Sequence, residues 1–394
     1  MEPTTVRNKI IGQIQHMLDH AVIKNRRFLD DEQLIKAEQL AVLEEIFNAN
    51  VRDAEIRELS SHFAPVLRHD HPVHLAIWGK TGTGKTLTVS YFLNLLAQMC
   101  SEKNVALRYK HLDLSTPMPC FRALNDLACL LNASKRYKKG ISLEELMLRI
   151  EAALAHYSGY LVLFVDEVDN LRRDKDTFMT FLVRRLPQRT RARLILVFVS
   201  NRLDWPDHLD PRVRSFLKLN EIVFKPYDAV DLQRILSIRV EKALHSDAVE
   251  AGVIEKVAAL ASRDHGDARQ AVALLAKSAY LAEKAGTPVS LEVVDHACSE
   301  IEQDKYVTMI RTAPRQLQAA MGAVIQCVTG HGRDKGETSE VYHTYKAYCQ
   351  KAELRPLTQR AFGDMLNELD MYSLLRSHVI SRGRYGRTRE ITVD

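Results

Sequence analysis

Apolar residues along the chain follow different rhythms in different stretches, and the changes mark out domains. From His74 to Phe224, short β-rich apolar runs alternate with stretches of helical period. The runs are His74–Trp78, Ala106–Leu112, Leu161–Val165, Leu194–Val199 and Glu221–Phe224. Strands alternating with helices predict a mostly parallel α/β sheet. Before them, residues 1–70 read as polar and helical, with an amphipathic stretch over Leu34–Phe47. From Asp228 to Gln303 the spacing is helical throughout, as in Leu232, Ile235, Leu236 and Ile238, then Val253, Ile254, Val257 and Leu260. That predicts a small helical bundle. Residues 306–394 predict three helices and a short arginine-rich hairpin. There Phe362, Met365, Leu366 and Leu369 repeat at i, i+3, i+4 and i+7 behind Thr358, a suitable N-cap. Val379–Ser381 and Arg389–Thr392 make two short strands, and Gly383 and Gly386 permit the turn between them.

Composition narrows the class. The chain has 394 residues, 46% hydrophobic and 27% charged, enough for two or three domains with their own cores. Its longest apolar runs, such as Leu161–Val165 and Leu194–Val199, fall far short of the roughly 18 residues of a membrane span. The first residues carry Glu2, Arg7 and Lys9 and no hydrophobic signal core, so secretion is not expected. The cysteines Cys100, Cys120, Cys129, Cys298, Cys327 and Cys349 form no CxxC pair and fit a reducing interior. A cytoplasmic protein with no membrane partner is expected. The net charge of +5 is mild, but +4 of it lies in Tyr306–Asp394. Within that stretch Arg376, Arg382, Arg384, Arg387 and Arg389 occur with no acid between them. Such a cluster is either a solvated tail or the electrostatic footprint of nucleic-acid contact.

The sharpest chemical signal is Gly79-Lys-Thr-Gly-Thr-Gly-Lys-Thr86, after the run His74–Trp78 and before a helix from Leu87. It fits the phosphate-loop pattern GxxxxGK[ST] in the strand–loop–helix setting that the pattern requires. Gly79, Lys80, Thr81, Gly82, Thr83 and Gly84 bring backbone N–H groups to phosphate oxygens, and the helix N-terminus adds a favourable dipole. Lys85 is expected to reach the β- and γ-phosphates, and Thr86 to ligate magnesium. The buried run Leu161–Val165 ends in Asp166 and Glu167. Asp166 is expected to hold the magnesium ion, and Glu167 to orient or deprotonate the attacking water. The strand Leu194–Ser200 delivers Asn201, which is either an amide that aligns the water or a turn residue. Gly266-Asp-Ala-Arg269 opens a helix of the bundle, and Arg269 either stays at the surface or crosses to the phosphates. In Asp210-Pro-Arg-Val-Arg214, Arg212 or Arg214 is a candidate finger acting on a neighbouring subunit's ATP. His69, Asp70, His71 and His74 lack a fixed ligand geometry and read as a polar entry to the first strand.

The order of phosphate loop, Asp-Glu pair, Asn-bearing strand, Asp210–Ser215 segment and Gly266–Arg269 helix resembles the AAA+ ATPases. Among them it is most similar to the archaeal origin-recognition/Cdc-type DNA replication initiators. Val341-Tyr-His-Thr-Tyr345 with Cys349, Pro356-Leu-Thr358 and Gly383-Arg-Tyr-Gly-Arg-Thr388 resemble that family's C-terminal part, and the likeness covers residues 50–394. The resemblance implies an AAA+ phosphate-loop core with an N-terminal helical extension over 1–226, a helical lid over 227–305 and a winged-helix DNA-binding domain over 306–394. It implies ATP or ADP with Mg2+ as ligands and slow hydrolysis used as a switch. It implies duplex origin DNA, the replicative helicase and paralogous initiator subunits as partners of a nucleoid-associated protein. It also implies that Tyr227, in Phe224-Lys-Pro-Tyr227, and Arg239 on the following helix contact the nucleotide; without it Tyr227 reads as a core-edge residue. Gln359 and Arg360 point outward from the first turn of a recognition helix, and Arg382, Arg384, Tyr385 and Arg387 belong to the wing, suited to phosphates or a narrow minor groove. Lys135 and Arg136, in Lys135-Arg-Tyr-Lys-Lys-Gly140, are either a solvated loop or, as the resemblance suggests, a DNA contact of the ATPase domain. The alternative reading is a signalling-type or clamp- or helicase-loader AAA+ ATPase whose last domain mediates protein assembly.

Three segments depart from the family pattern. Arg52-Asp-Ala-Glu-Ile56 matches its basic-acidic segment only in part and lacks the preceding proline. His111-Leu-Asp-Leu-Ser-Thr116 replaces the usual Asn-Cys, and Phe216 stands where related eukaryotic subunits carry the finger arginine.

Overall fold

The computed structural model describes residues 21–29, 40–132, 140–329, 335–372, 374–381 and 387–393. They divide into two compact units, residues 1–297 and 298–394.

The first unit is organised by five parallel strands: β1 (His74–Trp78), β2 (Leu107–Asp113), β3 (Tyr160–Asp166), β4 (Arg193–Ser200) and β5 (Leu219–Val223). They lie in the order β2-β3-β4-β1-β5. Each overlaps one of the five apolar runs of the sequence. β3 is buried at every position, and β4 at every position after Arg193, because helices cover both faces of the sheet. Period-2 alternation sends Ala76, Trp78, Leu163, Val165, Leu196 and Phe198 into one core. Leu75, Ile77, Val162, Phe164, Val197 and Val199 enter the other. Full burial of such side chains contributes about 1.5–3 kcal/mol each, so the central strands anchor the unit. Since all strands run the same way, the loops after β1, β3 and β4 open at one edge, where α/β sheets form their ligand crevices.

Helices Ala229–Ala243, Val253–Arg263, Ala268–Ala285 and the start of Leu291–Thr312 form the bundle expected after Asp228. Asp228 and Asp267 cap two of them, accepting from Asp231 N and from Arg269 N and Gln270 N. A strap, Val22–Leu29, runs along the first of these helices. Ile23 bridges Leu244, and Lys24 N and Asn25 N donate to the Ala243 carbonyl at 2.7 and 2.9 Å.

The histidines before β1 form no metal cluster; among the described residues no group of three or more His, Cys, Asp or Glu could hold an ion. His74 Nδ1 accepts from Leu196 N at 3.2 Å, and burial, helped by His71 and His62, pulls its pKa down to about 4.

The second unit holds helices Arg315–Thr329, Thr338–Lys351 and Gln359–Met371. Beside them stands an antiparallel sheet of β6 (Gly336–Glu337), β7 (Arg376–Ser381) and β8 (Arg387–Thr392), with β8 in the middle. Thr358 caps the third helix through Ala361 N, and Phe362, Met365, Leu366 and Leu369 are buried against Val341, Tyr345 and Cys349. The strands are longer than the sequence reading gave because the β7–β8 ladder runs on to Arg376↔Thr392. No described helix is long and apolar enough to cross a membrane.

Candidate nucleotide site

The loop after β1 closes onto its own lysine. Lys85 Nζ donates to the Gly79 and Lys80 carbonyls at 2.7 Å each and to Asn201 Oδ1 at 2.9 Å. The sheet order explains the last contact, since β4, which ends at Ser200, lies directly beside β1. Burial brings the Lys85 pKa down to about 8 against the attraction of Asp166, with Arg269 adding to the depression.

β3 ends at the neighbouring position. Asp166 Oδ2 accepts from Thr86 Oγ1 at 2.7 Å, and Oδ1 accepts from Glu167 N at 3.0 Å. His111 on β2, stacked on Phe164 at 4.2 Å, places Nε2 3.5 Å from Asp166 Oδ2. Glu167 turns out of the strand with φ 51°, and its Oε2 accepts from Asn170 Nδ2 at 2.9 Å. Its pKa is raised, first by burial and then by Asp166, Asp113 and Asp169. A carboxylate kept basic next to a hydroxyl–carboxylate pair suits proton abstraction, and the Thr86–Asp166 oxygens suit a hard divalent cation.

Lys85, Thr86, Asp166, Glu167 and Asn201 line one cavity of about 980 Å³, together with Thr81, Gly82, Thr83, Gly84, Tyr227, Arg239 and Arg269. Its apolar lining comes from Leu29, Leu43, Ile46, Phe47, Ile235 and Val272. Arg26 and Arg27 of the strap also face it. The cavity is large enough for a nucleotide and is lined by charged and apolar side chains together.

Arg52 is the residue that the sequence pattern passed over. It adopts a left-handed backbone, φ 67°, a conformation costing of order 1–3 kcal/mol for a non-glycine residue. Its Nη2 donates to the Thr83 carbonyl at 2.8 Å and to the Lys225 carbonyl at 2.7 Å, and Nη1 pairs with Glu55 at 2.7 Å. The guanidinium lies 3.8 Å from the centroid of the Tyr227 ring. One arginine thus ties the phosphate loop to the hinge before the bundle, and it covers a face of Tyr227. The only sequence signal was the partial match at Arg52–Ile56. Asp113, which ends β2 opposite Asp166, was also missed; it lines the cavity and contributes to the Glu167 shift.

Arg239 is buried under the strap, where Nη1 donates to the Phe28 carbonyl at 3.2 Å. Arg212 does not join the cavity: it lines a separate groove of about 490 Å³ with Phe181, Arg184 and the exposed Phe216. In the second unit Gln359 and Arg360 are exposed at the first turn of their helix. Lys135, Arg136, Arg382, Arg384 and Tyr385 lie outside the described residues, and Arg387 opens β8.

The same architecture recurs in known proteins. Residues 68–204 match the model of an AAA domain, 233–299 that of the Cdc6 AAA+ ATPase-type lid domain and 308–394 that of the CDC6 C-terminal winged helix domain. Over 379 residues the chain is 33% identical to the ORC1-type DNA replication protein of Pyrococcus abyssi, covering 92% of this chain and 89% of that one. The chain belongs to the ORC1-type DNA replication proteins. ORC1-type DNA replication protein 1 of Archaeoglobus fulgidus is 35% identical over 346 residues, 87% of this chain and 83% of that protein. The solved structure of the Aeropyrum pernix ORC1 protein in complex with DNA has a TM-score of 0.69 and 29% identity, covering 95% of this chain and 94% of that one. The ORC1-type family is one of AAA+ replication initiators, and membership implies nucleotide binding.

Proposed function

We propose that this ORC1-type protein is an ATP-switched initiator that binds duplex origin DNA and helps recruit or load the replicative helicase, alone or beside paralogous initiator subunits. The observation that carries the switch is the meeting of Lys85 with Asn201, and of Thr86 with Asp166, at one edge of the sheet. Lys85 exchanges its loop carbonyls for β- and γ-phosphate oxygens and regains its full charge there. Thr86 and Asp166 would hold a magnesium ion, which would supply positive charge against the phosphates. Glu167, oriented by Asn170, takes a proton from the attacking water while the Asn201 amide aligns it. Arg269 brings positive charge from the bundle to the phosphates, so the lid responds to the nucleotide present. Tyr227 and Arg239, which line the cavity, contact the nucleotide, and Arg212, exposed in its own groove, serves a neighbouring subunit's ATP.

The DNA half draws support from the relative solved with DNA and from an exposed helix start whose other face is core. Gln359 and Arg360 read base edges in the major groove, and the arginines of the wing contact backbone or minor groove. A nuclease footprint on genomic fragments next to the gene, with ATP and with ADP, tests the reading. A discrete protected repeat that depends on the nucleotide is expected. Even, sequence-independent protection, or none, would sink it.

A further inference from the structure

We infer that the N-terminal edge of the parallel sheet, at the far end of the strands from the nucleotide cavity, is a second surface for the backbone of duplex DNA, built on Arg108 and Arg193. The inference rests on the DNA-binding reading above and adds a contact made by the first unit.

In the register of the sheet, Leu107, Tyr160 and Arg193 stand side by side where β2, β3 and β4 begin. The Arg193 guanidinium lies over the Tyr160 ring, 5.2 Å from its centroid. Its Nη1 donates to the Tyr160 hydroxyl at 2.9 Å and to the His69 carbonyl at 2.8 Å, and that hydroxyl donates to the Asp70 carbonyl at 2.7 Å. One position further along, on the opposite face of the sheet, Tyr157 supports Arg108 by ring stacking. Arg108 sits 4.7 Å from its ring centroid, and the Tyr157 hydroxyl donates to the Tyr160 carbonyl at 2.9 Å. Gly159 allows the frame to close: a Cβ there would stand 2.5 Å from the Ala106 carbonyl and 2.6 Å from the Tyr157 hydroxyl.

Two exposed guanidiniums are therefore held on aromatic faces of a rigid strand edge, and neither has a carboxylate within ion-pair distance among the described residues. The segments entering the strands add exposed Arg68, Lys103 and Arg191 against only Asp70 and Glu102. An ordinary solvated charge run has mobile side chains that must be ordered when a ligand arrives. Here ring stacking has already ordered both guanidiniums, with two hydrogen bonds added at Arg193, and the N–H edges left to solvent match the paired oxygens of a phosphodiester. A duplex supplies such groups at regular spacing, which favours DNA over an acidic peptide.

The test is fluorescence anisotropy of the full chain on a labelled duplex across a salt series, with Arg108→Ala/Arg193→Ala and Arg108→Lys/Arg193→Lys beside the parent. The alanine pair is expected to lower the slope of log K against log salt by about two, and the lysine pair, which keeps both charges, to retain it. Nucleotide affinity should stay at the parent value in both, because the cavity is at the other end of the strands. An alanine pair with the parent's slope overturns this inference alone. A parent chain that binds no duplex overturns the DNA-binding reading as well. If the alanine pair fails to bind nucleotide, and so has not folded, Arg108→Ala alone decides: it leaves the Arg193 bonds intact and should lower the slope by about one.

Discussion

The Asp267 carboxylate occupies the space that a side chain on Gly82 would need: a Cβ there would stand 1.7 Å from Asp267 Oδ1. Gly82 also has φ +71°, and its carbonyl accepts from Ala268 N at 3.1 Å. The N-terminus of the lid helix Ala268–Ala285 is thus seated on the phosphate loop, next to Arg269.

Gly82→Ala should therefore push the lid off the loop and weaken nucleotide binding by about tenfold or more, the equivalent of the roughly 1–3 kcal/mol of backbone strain. Asp267→Ala removes an N-cap at a cost of about 1 kcal/mol but also removes the clash. The double variant should recover part of the affinity lost by Gly82→Ala. A fluorescent-nucleotide titration of the three proteins checks this, and strictly additive losses would show that the two residues do not meet.

Lys85 carries a pH signature. Burial lowers its pKa to about 8, so in the nucleotide-free protein it is half-charged near that pH, whereas phosphates favour the charged form. Binding should take up a proton between pH 8 and 9, and affinity should fall as pH rises through about 8. Calorimetry in two buffers of different ionisation enthalpy reads the proton directly. Lys85→Ala should abolish binding, and undiminished affinity would remove the lysine from the site.

Glu167→Gln should keep nucleotide binding and lose turnover by about 10²–10⁴-fold, because only the proton acceptor changes. Its raised pKa places an acid limb on the hydrolysis profile: activity falls as pH drops into the range where Glu167 is protonated. Single-turnover hydrolysis over a pH series checks both. Hydrolysis at the parent rate would show that another group takes the proton.

The parts of this fold that the sequence made legible are those enforced locally. β3 and β4 read as unbroken apolar runs because both faces are covered, and Thr358 with the Phe362–Leu369 repeat announced a capped helix with one buried side. Arg52 was hidden because its role depends on a left-handed backbone and on carbonyls 31 and 173 residues away. The strap was hidden for the same reason, since Ile23 finds its partner at Leu244. Asp113 lies at the end of an edge strand with few buried side chains, and its segment stood out only as a departure from the family pattern, with no sign of a site role. Pairings between distant segments leave no period in the chain.

Arg52 tests that last point. Arg52→Ala takes the donor from the buried Thr83 carbonyl and from the Lys225 carbonyl and uncovers Tyr227, and hydrogen bonds to a charged group are worth about 1.5–3 kcal/mol. A lower melting temperature together with weaker nucleotide binding is expected. Arg52→Lys should rescue little, because a single ammonium cannot reproduce the planar fork that spans Thr83, Lys225 and Glu55. Full rescue by lysine would mean that only charge matters there.

Arg360 separates reading a sequence from holding a backbone. It is exposed at the first turn of the helix Gln359–Met371, whose opposite face is buried core, so Arg360→Ala should leave folding untouched. If its guanidinium meets a base edge, the loss on the protected site should be about 1–3 kcal/mol, with a smaller loss on random duplex and an unchanged salt slope. If it meets a phosphate, both duplexes should weaken alike and the slope should fall by about one. A salt titration of the parent and Arg360→Ala on both duplexes distinguishes these outcomes. Parent-like affinity on both would take this helix out of the DNA interface and return the second unit to the role of a protein-assembly module.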